Sequence, residues 1–167
     1  LFLKVHAQIP CGLGLYQAAR DLGVNLKEKG LRYAEVRFAP QLHCQKGMGQ
    51  EQAVAAVLSG LAKAQEDSDI RLRTILCCMR GQDNKQANLQ TVRLASRYLG
   101  RGVAAVDLAG AEALFPTADY EEVFALAREL GVPFTIHAGE AAGPASIRKA
   151  VEFGAARIGH GVRAIED

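Results

Sequence analysis

Two short runs of this sequence end in side chains that could do chemistry. Pro133-Phe134-Thr135-Ile136-His137-Ala138-Gly139-Glu140 passes from apolar residues to a histidine and then a glutamate. Ile158-Gly159-His160-Gly161 repeats the pattern with a second histidine. A neutral imidazole held at a strand end is a good Zn²⁺ ligand, and a nearby carboxylic acid can protonate a substrate. A strand-end histidine can equally be structural, so His137 and Glu140 alone leave both readings open. His160 favours chemistry, because neighbouring parallel strands deliver such groups to one rim, where ligands bind.

Other candidates are weaker. Asp107-Leu108-Ala109-Gly110 ends the preceding apolar run. A buried Asp must be paired, and Gly110 either admits a ligand close to the backbone or merely turns the chain. Glu35 and Arg37 are two apart on one run, hence on one face, as a buried supporting pair or as catalytic groups. His6 and His43 have no matching partner and are expected in loops or on the surface. There is no GxGxxG or P-loop motif, and Ser59, Ser68, Ser96 and Ser146 lack a nucleophile elbow. A dinucleotide enzyme, an NTPase and a serine hydrolase are disfavoured.

The elements that must position these groups alternate along the chain. Residues 31–39, 70–79, 102–109, 132–138 and 156–160 are short apolar runs rich in strand formers. Between them lie helical periodicities: Val54, Val57, Leu58 and Leu61 share one face, as do Tyr120, Val123, Phe124 and Ala127. Asp119 with Glu122 fits a capping box, Glu121 adds charge to the first turn, and Gly131 is placed at C′. Weaker helical patterns cover 12–29, 86–99 and 144–153, the last opening at Gly143-Pro144 and stopping at Gly154. Strict alternation argues an α/β fold with a parallel sheet of about five strands covered by helices. A doubly wound sheet and an arc of a (β/α)8 barrel share this pattern.

The 167 residues suit a single domain with a real core. The 20 basic residues are interspersed with 18 acidic ones, so nothing argues for nucleic acid. The apolar runs are too short for a membrane span, and residues 1–10 lack a secretory pattern. Cys11, Cys44, Cys77 and Cys78 show no CxxC spacing and are expected as small core residues of a reducing cytoplasm, with Cys77 and Cys78 facing opposite sides of a sheet. The start at Leu1 and the end at Glu166-Asp167 suggest a piece of something longer.

The motifs together resemble the adenosine deaminase family of metal-dependent purine deaminases, specifically a bacterial-type member. The resemblance runs through YAEVRFAPQLHCQKG (33–47), ILCCMR (75–80), VDLAG (106–110), PFTIHAGEAAGP (133–144) and RIGHGVRAIED (157–167). It implies a partial (β/α)8 barrel of the TIM type, 1–167 being its central part without the first and last strands. It further implies that His137 ligates zinc, that Glu140 protonates the purine ring nitrogen, that His160 positions the attacking hydroxide, and that Gly110 contacts substrate. The implied reaction is hydrolytic deamination of adenosine or 2′-deoxyadenosine, a small purine nucleoside, with one Zn²⁺ per site. Neither an HxH pair nor consecutive aspartates occur in the chain, so it holds one of the family's four protein zinc ligands and is expected to be inactive alone. The competing readings are a deaminase of adenine, AMP or modified adenosine, and an inactive barrel fragment with a binding role.

Overall fold

The computed structural model describes residues 11–167; His6 and the first ten positions lie outside them. The elements run α1 (Gly12–Glu28), β1 (Tyr33–Phe38), α2 (Gln50–Asp67), β2 (Arg71–Met79), α3 (Lys85–Tyr98), β3 (Val103–Ala109), α4 (Glu121–Glu129), β4 (Phe134–Ala138), α5 (Pro144–Glu152) and β5 (Arg157–His160). Three 3-10 turns accompany them: Pro40–His43, Thr117–Tyr120 and Ala164–Glu166. The five strands are parallel and follow chain order, β1-β2-β3-β4-β5, with helices flanking them. Each expected strand and helix is present, displaced by at most two residues at its ends.

Packing divides the chain into two compact units. The described residues up to Ile75, with Gly100–Ala104, form one; Leu76–Leu99 with Ala105–Asp167 form the other. In the first, α1 packs on α2 at very short range. A Cβ at Gly60 would fall 2.2 Å from the Tyr16 carbonyl oxygen, and one at Gly23 would fall 2.5 Å from Ala64 Cβ. Small residues at these crossings let the helices approach, while Val54, Val57 and Leu61 are buried as their spacing requires.

The second unit carries the rim of interest. Val106 pairs with Phe134 and Leu108 with Ile136 across β3 and β4, and His137 pairs with Gly159 across β4 and β5. Phe124 of α4 lies fully buried against Phe134 and Phe153, with ring centroids 4.7 and 5.8 Å apart. The end of β2 is fixed by Asn88, whose side chain accepts from Met79 N at 2.8 Å and donates to Met79 O at 3.0 Å. This amide pairs with β2 as another strand would.

Local punctuation is partly as expected. Gly131 takes φ +65° at C′ of α4, with Gly131 N donating to Arg128 O and Val132 N to Ala127 O. These are the two bonds of a Schellman motif. The capping box at Asp119 does not form. Thr117–Tyr120 is already wound as a 3-10 turn, Asp119 N donates to Pro116 O, and Tyr120 occupies the cap position without a side-chain bond. A residue inside a turn lacks the extended backbone an N-cap needs.

Two further expectations are corrected. Cys11 and Cys44 are exposed, and only Cys77 and Cys78 are buried. Cys11 stands at the N-cap of α1, its Sγ accepting from Gly14 N at 3.4 Å, which keeps it at the surface. Cys77 faces Asp107 and Cys78 faces Asn88 O, on opposite sides of β2 as strand alternation requires. His43 is buried rather than superficial, since its 3-10 turn tucks the ring against Phe38 and a small cavity lined by Leu15, Ala19 and Val57.

Candidate functional site

Gly110, His137, Glu140 and His160 all lie at the C-terminal ends of β3, β4 and β5 or within two loop residues beyond. His137 is the best-fixed of them. Its residue is 7 % exposed, and Nδ1 lies 3.0 Å from both carboxylate oxygens of Asp107 and 3.0 Å from Leu108 O. All three partners are acceptors, so Nδ1 carries a proton, and in the neutral ring Nε2 is the nitrogen with the free lone pair. Asp107, fully buried on β3, is thereby paired as a buried acid must be. Gly159, the neighbour of His137 on β5, makes room: a Cβ there would lie 3.2 Å from the ring's Cγ.

Glu140 and His160 face each other at the rim. The His160 Nε2 to Glu140 Oε2 distance is 3.3 Å, and the rings of His137 and His160 are 5.1 Å apart between centroids. His160 adopts φ +63°, a left-handed conformation that a non-glycine residue takes only under constraint. Gly161 N donates to Ala138 O directly after it, which fixes the turn. Glu140 is exposed on the loop beyond Gly139.

Gly110 has a structural requirement of its own. It takes φ +119°, and a Cβ would meet Arg80 at 3.1 to 3.3 Å, where Arg80 N donates to Ala109 O. Glu35 and Arg37, by contrast, are half-buried on β1, where Glu35 accepts from the Tyr33 hydroxyl at 2.8 Å. They belong to the other unit.

A residue that the motif pattern did not reveal organises the loop. Glu112 is 4 % exposed, and its carboxylate accepts from the backbone N–H of Gly139, Glu140, Ala141 and Ala142 at 2.7, 3.0, 2.8 and 3.1 Å. The Ser146 hydroxyl adds a fifth bond at 2.6 Å. Burial pushes this acid upward, but the bonds from Ser146, Ala141, Gly139 and Ala142 outweigh it and hold the pKa at about 2. Its sequence signal, an acid two positions past the strand-end glycine, is indistinguishable from an ordinary loop glutamate.

The donor set suits a metal at one point. An imidazole whose Nδ1–H is held by a carboxylate presents Nε2 in fixed orientation, the usual arrangement behind a metal-bound histidine. Among the described residues, no group of three or more His, Cys, Asp or Glu side chains gathers closely enough to hold an ion unaided.

Residues 4–167 match the adenosine deaminase family. The chain belongs to that family. An adenosine deaminase of Haemophilus ducreyi is 56 % identical over 156 residues, covering 91 % of this chain and 45 % of that protein. An adenosine deaminase of Enterococcus faecalis is 43 % identical over 148 residues, covering 89 % and 44 %. The chain thus spans less than half the length of these relatives. Among solved structures, an adenine deaminase from Arthrobacter aurescens superposes with TM-score 0.81 at 26 % identity, covering 93 % of this chain and 47 % of that one. A zinc-bound amidohydrolase from Burkhoderia ambifaria superposes with TM-score 0.88 at 23 % identity, covering 95 % and 44 %. With these neighbours, the adenosine deaminase family fold of the chain is a partial (β/α)8 barrel.

Proposed function

We propose that this chain supplies one flank of the active site of a hydrolytic adenosine deaminase, converting adenosine or 2′-deoxyadenosine and water to the inosine product and ammonia. The observation that carries the reading is the meeting of His137, Glu140 and His160 at one rim, with the His137 tautomer set by Asp107, in a chain of this family. His137 would hold the metal through Nε2 as one of several donors. Zn²⁺, when bound, brings the pKa of a water towards ~7 and so makes a nucleophile available at neutral pH.

The chain's own residues do the rest. Glu140, in its neutral form, donates a proton to the purine ring nitrogen as C6 is attacked, which quenches the charge building there. His160, within hydrogen-bond reach of Glu140, orients the attacking oxygen. Gly110 offers backbone to the substrate where no side chain intervenes. Support for a cytoplasmic location comes from the four cysteines, none of which is in a disulfide. No helix among the described residues is long and apolar enough to cross a membrane.

A hybrid tests this directly. Residues 4–167 replace the matching segment of the Haemophilus ducreyi relative, and the ultraviolet change of the purine is followed with adenosine, 2′-deoxyadenosine, adenine and AMP. The proposal expects turnover of the two nucleosides. Turnover confined to adenine or AMP would move the chain to another branch of purine deaminases.

A further inference from the structure

Arg80, Thr117, Ser146 and Glu112 are linked in one polar chain, and the donor inventory gives it a single direction. Arg80 can only donate; its guanidinium reaches Thr117 Oγ1 at 2.9 Å. The Ser146 hydroxyl gives its proton to Glu112 at 2.6 Å, so at the 2.8 Å Thr117–Ser146 contact Thr117 must be the donor. The order is therefore Arg80 to Thr117 to Ser146 to Glu112, a buried cation joined to a buried anion through two hydroxyls. Each hydroxyl in such a chain polarises the next.

Both charged ends close on the same stretch of backbone. Arg80 donates to His137 O at 2.7 Å and to Phe115 O at 2.6 Å. Glu112 accepts the N–H groups of residues 139–142. One charge grips the carbonyl of His137 and the other grips four successive amides around Glu140. We infer that this four-residue chain is a clamp that positions the loop carrying His137 and Glu140, with Glu112, Ser146 and Thr117 as positioning residues. Outside the clamp, the loop takes φ +73° at Gly139, whose carbonyl accepts from Arg163 N at 3.3 Å. The catalytic meaning of the clamp rests on the function proposed above; its existence does not.

The test reads backbone amides in the 167-residue chain by hydrogen exchange and proton chemical shift, in Glu112→Gln, Ser146→Ala and Thr117→Val. Charge-assisted bonds are the stronger class, so Glu112→Gln should speed exchange at residues 139–142 on the order of 10–100-fold and shift those amide protons upfield. Amides of β3 and the first half of β4 should stay protected. Ser146→Ala and Thr117→Val should act at the same four amides to a smaller extent, and they carry the test if Glu112→Gln does not fold. Unchanged exchange at 139–142, or a loss spread evenly over β3, β4 and α5, overturns the clamp. In the hybrid enzyme, Ser146→Ala should lower kcat several-fold at unchanged KM and zinc content. If the amides loosen while kcat holds, the clamp stands and its positioning role falls. Neither amide measurement needs metal or substrate, so failure of the deaminase reading would register separately.

Discussion

In the proposed reaction His137 would serve as a donor through Nε2 because Asp107 and Leu108 O accept from its Nδ1–H. Replacing Asp107 with Asn keeps an acceptor but removes the charge that fixes the ring's tautomer and orientation. Such changes behind a metal-bound histidine typically cost ~10–100-fold in metal affinity. Asp107→Asn in the hybrid should show that loss in a chelator competition, with the fold intact by circular dichroism. His160 poses the opposite case. Its left-handed backbone costs roughly 1–2 kcal/mol, more than the extra chain entropy of a glycine. His160→Gly should therefore leave the melting temperature unchanged or slightly raised while abolishing turnover. A marked drop in melting temperature would mean that the ring contributes packing rather than chemistry.

At the scale of elements, the strands and helices were legible because apolar periodicity and burial agree: Val123, Phe124 and Ala127 repeat at helical spacing and are buried. His137 was legible for the same reason at the end of the buried β4, and His160, on the less buried β5, was marked by its flanking glycines. What periodicity does not encode is which polar groups find each other. Asp119 looked like a cap but was consumed by a preceding 3-10 turn, and Glu112 looked like a loop acid but is nearly enclosed. Arg80, at the end of a strand, gave no sign of spanning to Phe115 and His137. The Arg80 contacts join residues 35 and 57 positions apart, and the Glu112 bonds to the loop span 27 to 30, so the fold decides them and local pattern does not.

Glu112 also sets a pH dependence. Its folded pKa, about 2, lies below the ordinary glutamate value, so the charged form favours the folded state. The stability it contributes is complete above the unfolded pKa of ~4.3 and is lost as pH falls from there towards 2. Arg80 and Arg163, which feel the Glu112 charge, stay cationic throughout this window. Thermal melts between pH 5 and pH 2.5 should fall more steeply for the natural chain than for Glu112→Gln. Parallel curves would exclude the carboxylate as a source of stability. On β5, Gly159→Ala should destabilise by about 1–3 kcal/mol through overpacking, because the 3.2 Å neighbour is the anchored His137 ring.

For the molecule as a whole, the count of donors decides what this chain does alone. Among the described residues no three His, Cys, Asp or Glu side chains gather closely enough to hold an ion, and zinc is held by three or four protein ligands. The 167-residue chain by itself should show negligible conversion of adenosine even with added Zn²⁺, read by the ultraviolet change of the purine. Robust turnover abolished by His137→Ala would mean that a full site assembles between copies.

In the proposed reaction His137 would serve the metal and Glu140 the proton. Zinc content and kcat of the hybrid, measured side by side for Glu140→Gln and His137→Ala, separate these roles. Glu140→Gln keeps the side chain's shape but cannot deliver an acid proton; it should stay zinc-loaded, keep KM nearly unchanged and lose at least ~10²–10⁴-fold in kcat. His137→Ala should come out metal-poor. A Glu140→Gln hybrid that loses its zinc, beside a His137→Ala hybrid that retains a full complement, would contradict the account.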